Sequence, residues 1–311
     1  MNERDHAGAV PAPGAAVAPT ASTASLFVVP TLLWGSTWYA ITFQLGVVAP
    51  EVSVVYRFTL AAVLLAAWCA ATGRSLAFRA RDHLWIAAQG ASMFGLGYVF
   101  IYHSEQYIAS GPLAVLFATI VFTNLAGARI FFGDRVTARA TIGAVLGVGG
   151  VALLFLPEFA SMRASAGTAK GVAYGLASVL LATGGNLVAV RNDKAGLPLL
   201  PVVAWGMGYG AAIAAVTVAL SGAAWTFDPR AGYVGSLLYL AVFGSIVAFG
   251  TYLTLVARIG AGRASYVGVA IPVVAMSVST LFEGYRWTLP AVAGIGLVAA
   301  GNVLVLWRPR R

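Results

Sequence analysis

A few side chains sit where they could do chemistry in an otherwise apolar chain. Arg57 lies in VVYRFTLAAVLL, with no other charged residue between Glu51 and Arg74. A cation at mid-bilayer costs about 3 kcal/mol on insertion scales. Two readings are open: Arg57 anchors the carboxylate of a solute, or it snorkels outward and pairs with Glu51 or helix carbonyls. His103 lies two residues before Glu105. An imidazole titrates near neutral pH, so His103 is either a sensor of external pH or an interfacial histidine. Aromatic residues recur one helical turn apart at Trp34 and Trp38, Tyr98 and Tyr102, and Trp205 and Tyr209. Such rings either form belts at the membrane surface or, with Ser36, Thr37, Gln89, Asn186 and Tyr252, wall a cavity for an aromatic or amphipathic solute. The candidate substrate-binding residues are therefore Trp34, Trp38, Arg57, Tyr98, Tyr102, His103, Asn186, Trp205 and Tyr252.

Small residues beside polar ones, as in Gly35-Ser36-Thr37, Gly90-Ala91-Ser92 and Gly184-Gly185-Asn186, are places where a helix could loosen toward a cavity. Pro272 removes a backbone donor from the middle of an apolar segment and predicts a kink. Gly35, Gly90, Gly184, Gly185 and Pro272 are the candidate hinges. Enzyme signatures are missing: the chain has no HExxH, CxxC, Walker loop or paired intramembrane aspartates. No catalytic residue, metal site or cofactor is expected. The 10 acidic residues all fall at segment ends or in the tail, which weakens a mechanism driven by an intramembrane carboxylate.

The elements that must position these residues follow from composition. Hydrophobic residues make up 60% of the 311, charged residues 9%, and mean hydropathy is +0.86, so the chain is expected to be an all-α polytopic membrane protein. The net charge of +9 is spread singly over segment ends, which points to topogenic charge rather than nucleic acid. Cys69, the single cysteine, permits no intramolecular disulfide. Residues 1–24, rich in Ala, Pro and Gly, are expected to be a disordered tail rather than a signal peptide. Apolar segments long enough to cross a bilayer then fall at roughly 25–46, 52–72, 84–103, 112–132 and 138–156, and again at roughly 170–190, 199–220, 233–257, 264–282 and 289–307.

The chain also repeats itself. Laid without a gap on the stretch from Gly262, the stretch from Gly111 matches Phe131 with Phe282, Gly133 with Gly284, Arg135 with Arg286 and Thr137 with Thr288. Further on, Gly143 matches Gly294, Leu146 matches Leu297 and Gly150 matches Gly301. Apolar bias does not readily supply an Arg, a Thr and glycines in register. The expected organisation is two five-helix repeats, 25–156 and 170–307, joined by an external linker at 157–169 and followed by a basic C-terminus at 308–311. Five is odd, so the second repeat enters from the opposite side. Placing both termini in the cytoplasm leaves only Arg163, Lys170, Arg230 and Arg286 outside, Arg57 being within a helix.

TLLWGSTW in the first segment, Pro50 followed by Arg57, SGPLAVL…FFGDRVT…GAVLGVGGVALL and the second-half GAGRASYVGVAIPVVAMSVSTLFEGYRWT resemble the EamA family of the drug/metabolite transporter superfamily. Within it the chain looks most like the bacterial aromatic amino acid exporters of the YddG type. The chain departs from the family at Val121, where a proline is usual, and at the second-half turn, where Tyr285 replaces the acid and Glu283 lies two residues earlier. The resemblance implies a bacterial inner-membrane exporter of small solutes, acting as a monomer by alternating access, with lipid and solute as its partners. A carrier for a sugar or nucleotide sugar, and a non-transport sensor or enzyme, stay open as alternatives.

Overall fold

The computed structural model describes residues 22–133, 136–157, 165–259 and 266–306. Residues 1–21, 134–135, 158–164 of the linker, 260–265 and 307–311 lie outside them. The described residues are helical, with no strand among them. In chain order the helices are α1 Thr23–Thr42, α2 Pro50–Ala71, α3 Ala80–Glu105, α4 Ser110–Phe132, α5 Ala138–Leu154, α6 Ser165–Lys194, α7 Leu199–Ser221, α8 231–259, α9 Tyr266–Phe282 and α10 Leu289–Leu306. Among the described residues, seven helices are long and apolar enough to cross a membrane; α5, α9 and α10 are shorter apolar helices. The chain is a multi-pass membrane protein.

Local sequence sets the ends. Ser22 caps α1 by accepting from the Ser25 amide at 3.0 Å. Pro50 opens α2, where its missing N–H leaves nothing unsatisfied. Gly133 ends α4 at φ +74°, a conformation a side chain would strain. Ahead of α8, Arg230 donates to Asp228 and holds that carboxyl below the usual carboxylate range.

Two helices change pitch midway. α3 is π-helical over Ala91–Leu96 and α8 over Tyr239–Val247. The register that lays Gly111 on Gly262 also lays Ala91 on Val242 and Leu96 on Val247, so the two departures occupy matched positions. Within α8 the Ser245 hydroxyl donates to the Leu240 carbonyl at 2.9 Å. The Gly244 carbonyl accepts from Trp34 Nε1 at 3.1 Å, so the π segment joins α8 to α1 through a side chain. α4 is interrupted at Ala118 and Thr119, close to where the proline is absent. By contrast α1 and α6 run as unbroken α-helix past Gly35 and Gly184-Gly185, and α9 runs through Pro272.

Glycines let the bundle close. A methyl on Gly143 would lie 2.6 Å from the Gly301 carbonyl oxygen, and one on Gly150 2.5 Å from that of Gly294. α5 and α10 therefore cross antiparallel with backbones nearly touching. Gly90 and Gly95 of α3 likewise face Gly206 and Gly210 of α7, and Gly35 faces Val274 of α9.

Candidate functional site

A cavity of about 350 Å³ lies among α1, α3, α4, α6, α8 and α9, so both sequence halves line it. Its size is at the small end of the range for small-molecule sites. The π segments and the α4 interruption adjoin its wall: Met93 and Phe94 of α3 and Phe117, Ala118, Ile120 and Val121 of α4 line it. Tyr98 and Ile101 in α3 fall in register with Phe249 and Tyr252 in α8, and Phe117 and Ile120 in α4 with Gly268 and Ile271 in α9. All eight line the cavity.

Five of the nine residues singled out from the sequence meet here: Trp34, Trp38, Tyr98, Asn186 and Tyr252. Trp34 packs edge-on to Phe249 at 5.1 Å and against Tyr252 at 5.3 Å; Trp38 packs against Phe117 at 5.4 Å. The Asn186 side-chain amide donates to Asn124 Oδ1 at 3.3 Å. The buried Ser178 hydroxyl, also on the wall, has no partner among the described residues. No charged side chain or histidine is among the described lining residues.

Other candidates stand back from the wall. Arg57 is buried, its guanidinium 4.6 Å from the Tyr98 ring centre and 5.1 Å from that of Phe58, and it donates to the Tyr102 hydroxyl at 3.4 Å. Glu51, one of the partners open to Arg57 in the sequence, instead accepts from Ser221 Oγ at 2.7 Å and lies 3.4 Å from His103 Nε2. His103 also faces Tyr174. Trp205 is 39% exposed and donates to the Leu76 carbonyl at 2.9 Å, with His83 against its ring. Among the candidate hinges Pro272 lines the cavity, Gly185 packs against Met93, and Gly184 has open space beside it.

Residues from α4 and α9 were missed by sequence reasoning. Phe117, Ile120 and Ile271 carry no polar signal to tell a cavity wall from a lipid face, whereas Asn124, an amide inside an apolar span, carried one.

Comparison with known proteins matches the EamA-like transporter family twice, over residues 21–156 and 169–307. The chain belongs to the EamA family, within the drug/metabolite transporter superfamily. An uncharacterized inner membrane transporter of Escherichia coli, YedA, is 26% identical over 282 residues, 88% of this chain and 87% of the relative. An uncharacterized transporter of Archaeoglobus fulgidus is 23% identical over 274 residues, 88% of this chain and 94% of the relative. A solved crystal structure covering 91% of this chain and 95% of its own shares the fold with a TM-score of 0.66 at 15% identity. Family and relatives indicate membrane solute transport rather than an enzyme.

Proposed function

We propose that this chain is an inner-membrane exporter of amino acids, aromatic ones first, or of similar small metabolites, acting as a monomer by alternating access. The observation that carries this reading is the cavity: rings from both halves, amides and hydroxyls, and no charge among its described lining residues. Indole and phenyl groups stack on Trp34, Trp38, Tyr98 and Tyr252, while Asn124, Asn186 and Ser178 supply donors and acceptors for a solute's polar end. A nucleotide sugar would want cations on the wall, so that carrier reading ranks lower. Resemblance to the YddG-type exporters favours aromatic amino acids.

In this proposal all ten helices cross the membrane as two inverted five-helix repeats, with both termini and the tail at 1–24 cytoplasmic and the linker at 157–169 external. The matched register supports the inversion: exchanging the halves turns the Gly143–Gly301 contact into the Gly294–Gly150 contact. Antiparallel helices related that way have their pseudo-two-fold axis across, not along, the bundle. Rocking one half against the other then moves the cavity opening between sides, with Gly35, Gly90, Gly184, Gly185 and Pro272 as hinge candidates.

The test is exchange of labelled tryptophan, phenylalanine and small amino acids in liposomes containing the purified protein. Saturable exchange of aromatic amino acids is expected, reduced about tenfold or more in Trp38→Ala and Tyr98→Ala while the folded yield holds. Normal exchange in both variants moves the site elsewhere; none for any amino acid, from folded protein, moves the solute to another class.

A further inference from the structure

Where α3 ends and α4 begins, a second cluster of polar groups lies apart from the cavity lining. Glu105, the last residue of α3, is only 9% exposed, and neither of its carboxylate oxygens has a hydrogen-bond partner among the described residues. Its charged neighbours come from both halves: Arg57 from α2 and Glu283 just after α9, with Tyr102 of its own helix beside it. Glu283 differs from Glu105 in being satisfied, since it accepts from the Ser110 amide at 3.3 Å and the Ser110 hydroxyl at 2.5 Å. That pair ties the start of α4 to the end of α9, a junction between the halves. Among the described residues at this end, His103 lies against Glu51, and Lys170 of α6 over the Tyr107 and Tyr174 rings. Tyr285, two residues after Glu283, packs against the main hydrophobic core.

Two carboxylates in one low-dielectric neighbourhood do not readily ionise together, and the one without donors is the one that gives way. With both carboxylates ionised, Arg57, Glu105 and Glu283 together carry one net negative charge, which a single proton on Glu105 brings to zero. Arg57 is also what links the cluster to the cavity, because its guanidinium rests on the Tyr98 ring.

We propose that Glu105 is a proton-binding site through which pH acts on transport, its carboxyl taking up and releasing one proton at the junction of the two halves. When Glu105 is ionised, Arg57 is drawn toward it; when protonated, Arg57 is left to Tyr98 and Tyr102. This inference rests on the transport reading above, with the cluster facing outside in the proposed orientation.

Two readouts keep the inferences separable. Infrared difference spectra of the purified full chain between about pH 5 and 9 are expected to show a protonated-carboxyl C=O band that titrates and is missing in Glu105→Gln. In liposomes at equal pH on both sides, tryptophan exchange is expected to change about tenfold across that range in wild type and less than about twofold in Glu105→Gln. His103→Gln should keep the wild-type pH response. No titrating band in wild type, a band that survives in Glu105→Gln, a pH response lost in His103→Gln instead, or dependence on sodium would each overturn the proposal. Absence of exchange for every aromatic amino acid would sink the transport reading instead, and the infrared band would still decide whether Glu105 holds a proton.

Discussion

Arg57 is held chiefly by rings. Its guanidinium lies over Tyr98 and Phe58 and reaches one hydroxyl, and its Nε has no partner among the described residues. A planar cation spreads its charge over two ring faces and is weakly hydrated, so such a site suits Arg better than Lys. Arg57→Lys keeps the charge and loses the plane; it is expected to destabilise the protein by about 1–2 kcal/mol, read as a lower melting temperature in detergent. An unchanged melting temperature would mean that charge alone matters here. This partner choice was not legible in the sequence. Proximity along the chain pointed to Glu51, but Glu51 is taken by Ser221, 170 residues away, and Arg57 by the helix carrying Tyr98. The same limit hid Glu105 beside Glu283: both read as segment-end acids until packing brought the two halves together. What sequence does convey is polarity at helical spacing, which is why Trp34, Trp38 and Asn186 could be singled out before the cavity they line was known.

At the scale of elements, glycine position decides which helix faces can touch. Gly149 and Gly150 are neighbours in α5, yet a methyl on Gly149 meets nothing within 4 Å, while one on Gly150 lies 2.5 Å from the Gly294 carbonyl oxygen and 2.9 Å from Leu297 Cβ. The partner is backbone, so it cannot swing away; the two helices must separate. Gly150→Ala is expected to cost about 1–3 kcal/mol. Gly149→Ala is expected to be neutral or to stabilise by up to about 1 kcal/mol, because Ala is the better helix former. Melting temperatures of the two variants in one detergent check this, and equal values would mean that α5 and α10 do not pack so closely. The glycines matched by the repeat were readable from the sequence, but which glycine faces which helix was not. The π segments were still less visible. No residue of Ala91–Leu96 is identical to the one that the duplication lays on it in Val242–Val247, and only the register of the duplication shows that the two segments coincide. A change of pitch is set by what a helix packs against, here a cavity on one side and glycine-paired helices on the other, more than by its own side chains.

For the molecule as a whole, helix length and exposed apolar surface decide how many helices cross. α5 and α9 are 17 residues long and α10 is 18, so at 1.5 Å per residue each spans about 25–27 Å, slightly less than the roughly 30 Å of hydrocarbon in a typical bilayer. A shortfall of a few ångströms is met by local thinning or by flanking residues that snorkel, at fractions of a kcal/mol per ångström. Leaving such apolar helices outside the membrane would expose Ile142, Val145, Val148 and Val292, each more than half exposed in the isolated chain, to water. Crossing is therefore the cheaper arrangement, and in the inverted repeat proposed above Arg135 and Arg286 then belong to opposite compartments. Cys69 is fully buried and unique, so Cys69→Ala gives a background for single cysteines at those turns. In intact cells Arg286→Cys is expected to react with a membrane-impermeant maleimide, and Arg135→Cys only after the membrane is permeabilised. The reverse pattern would keep the inversion and flip the orientation drawn from the Lys and Arg distribution. Labelling of both turns from one side would mean that the halves enter the membrane in the same sense. The reciprocal glycine contacts of α5 and α10 could not then arise from an in-plane two-fold axis, and alternating access by exchange of two similar packings would lose its structural basis.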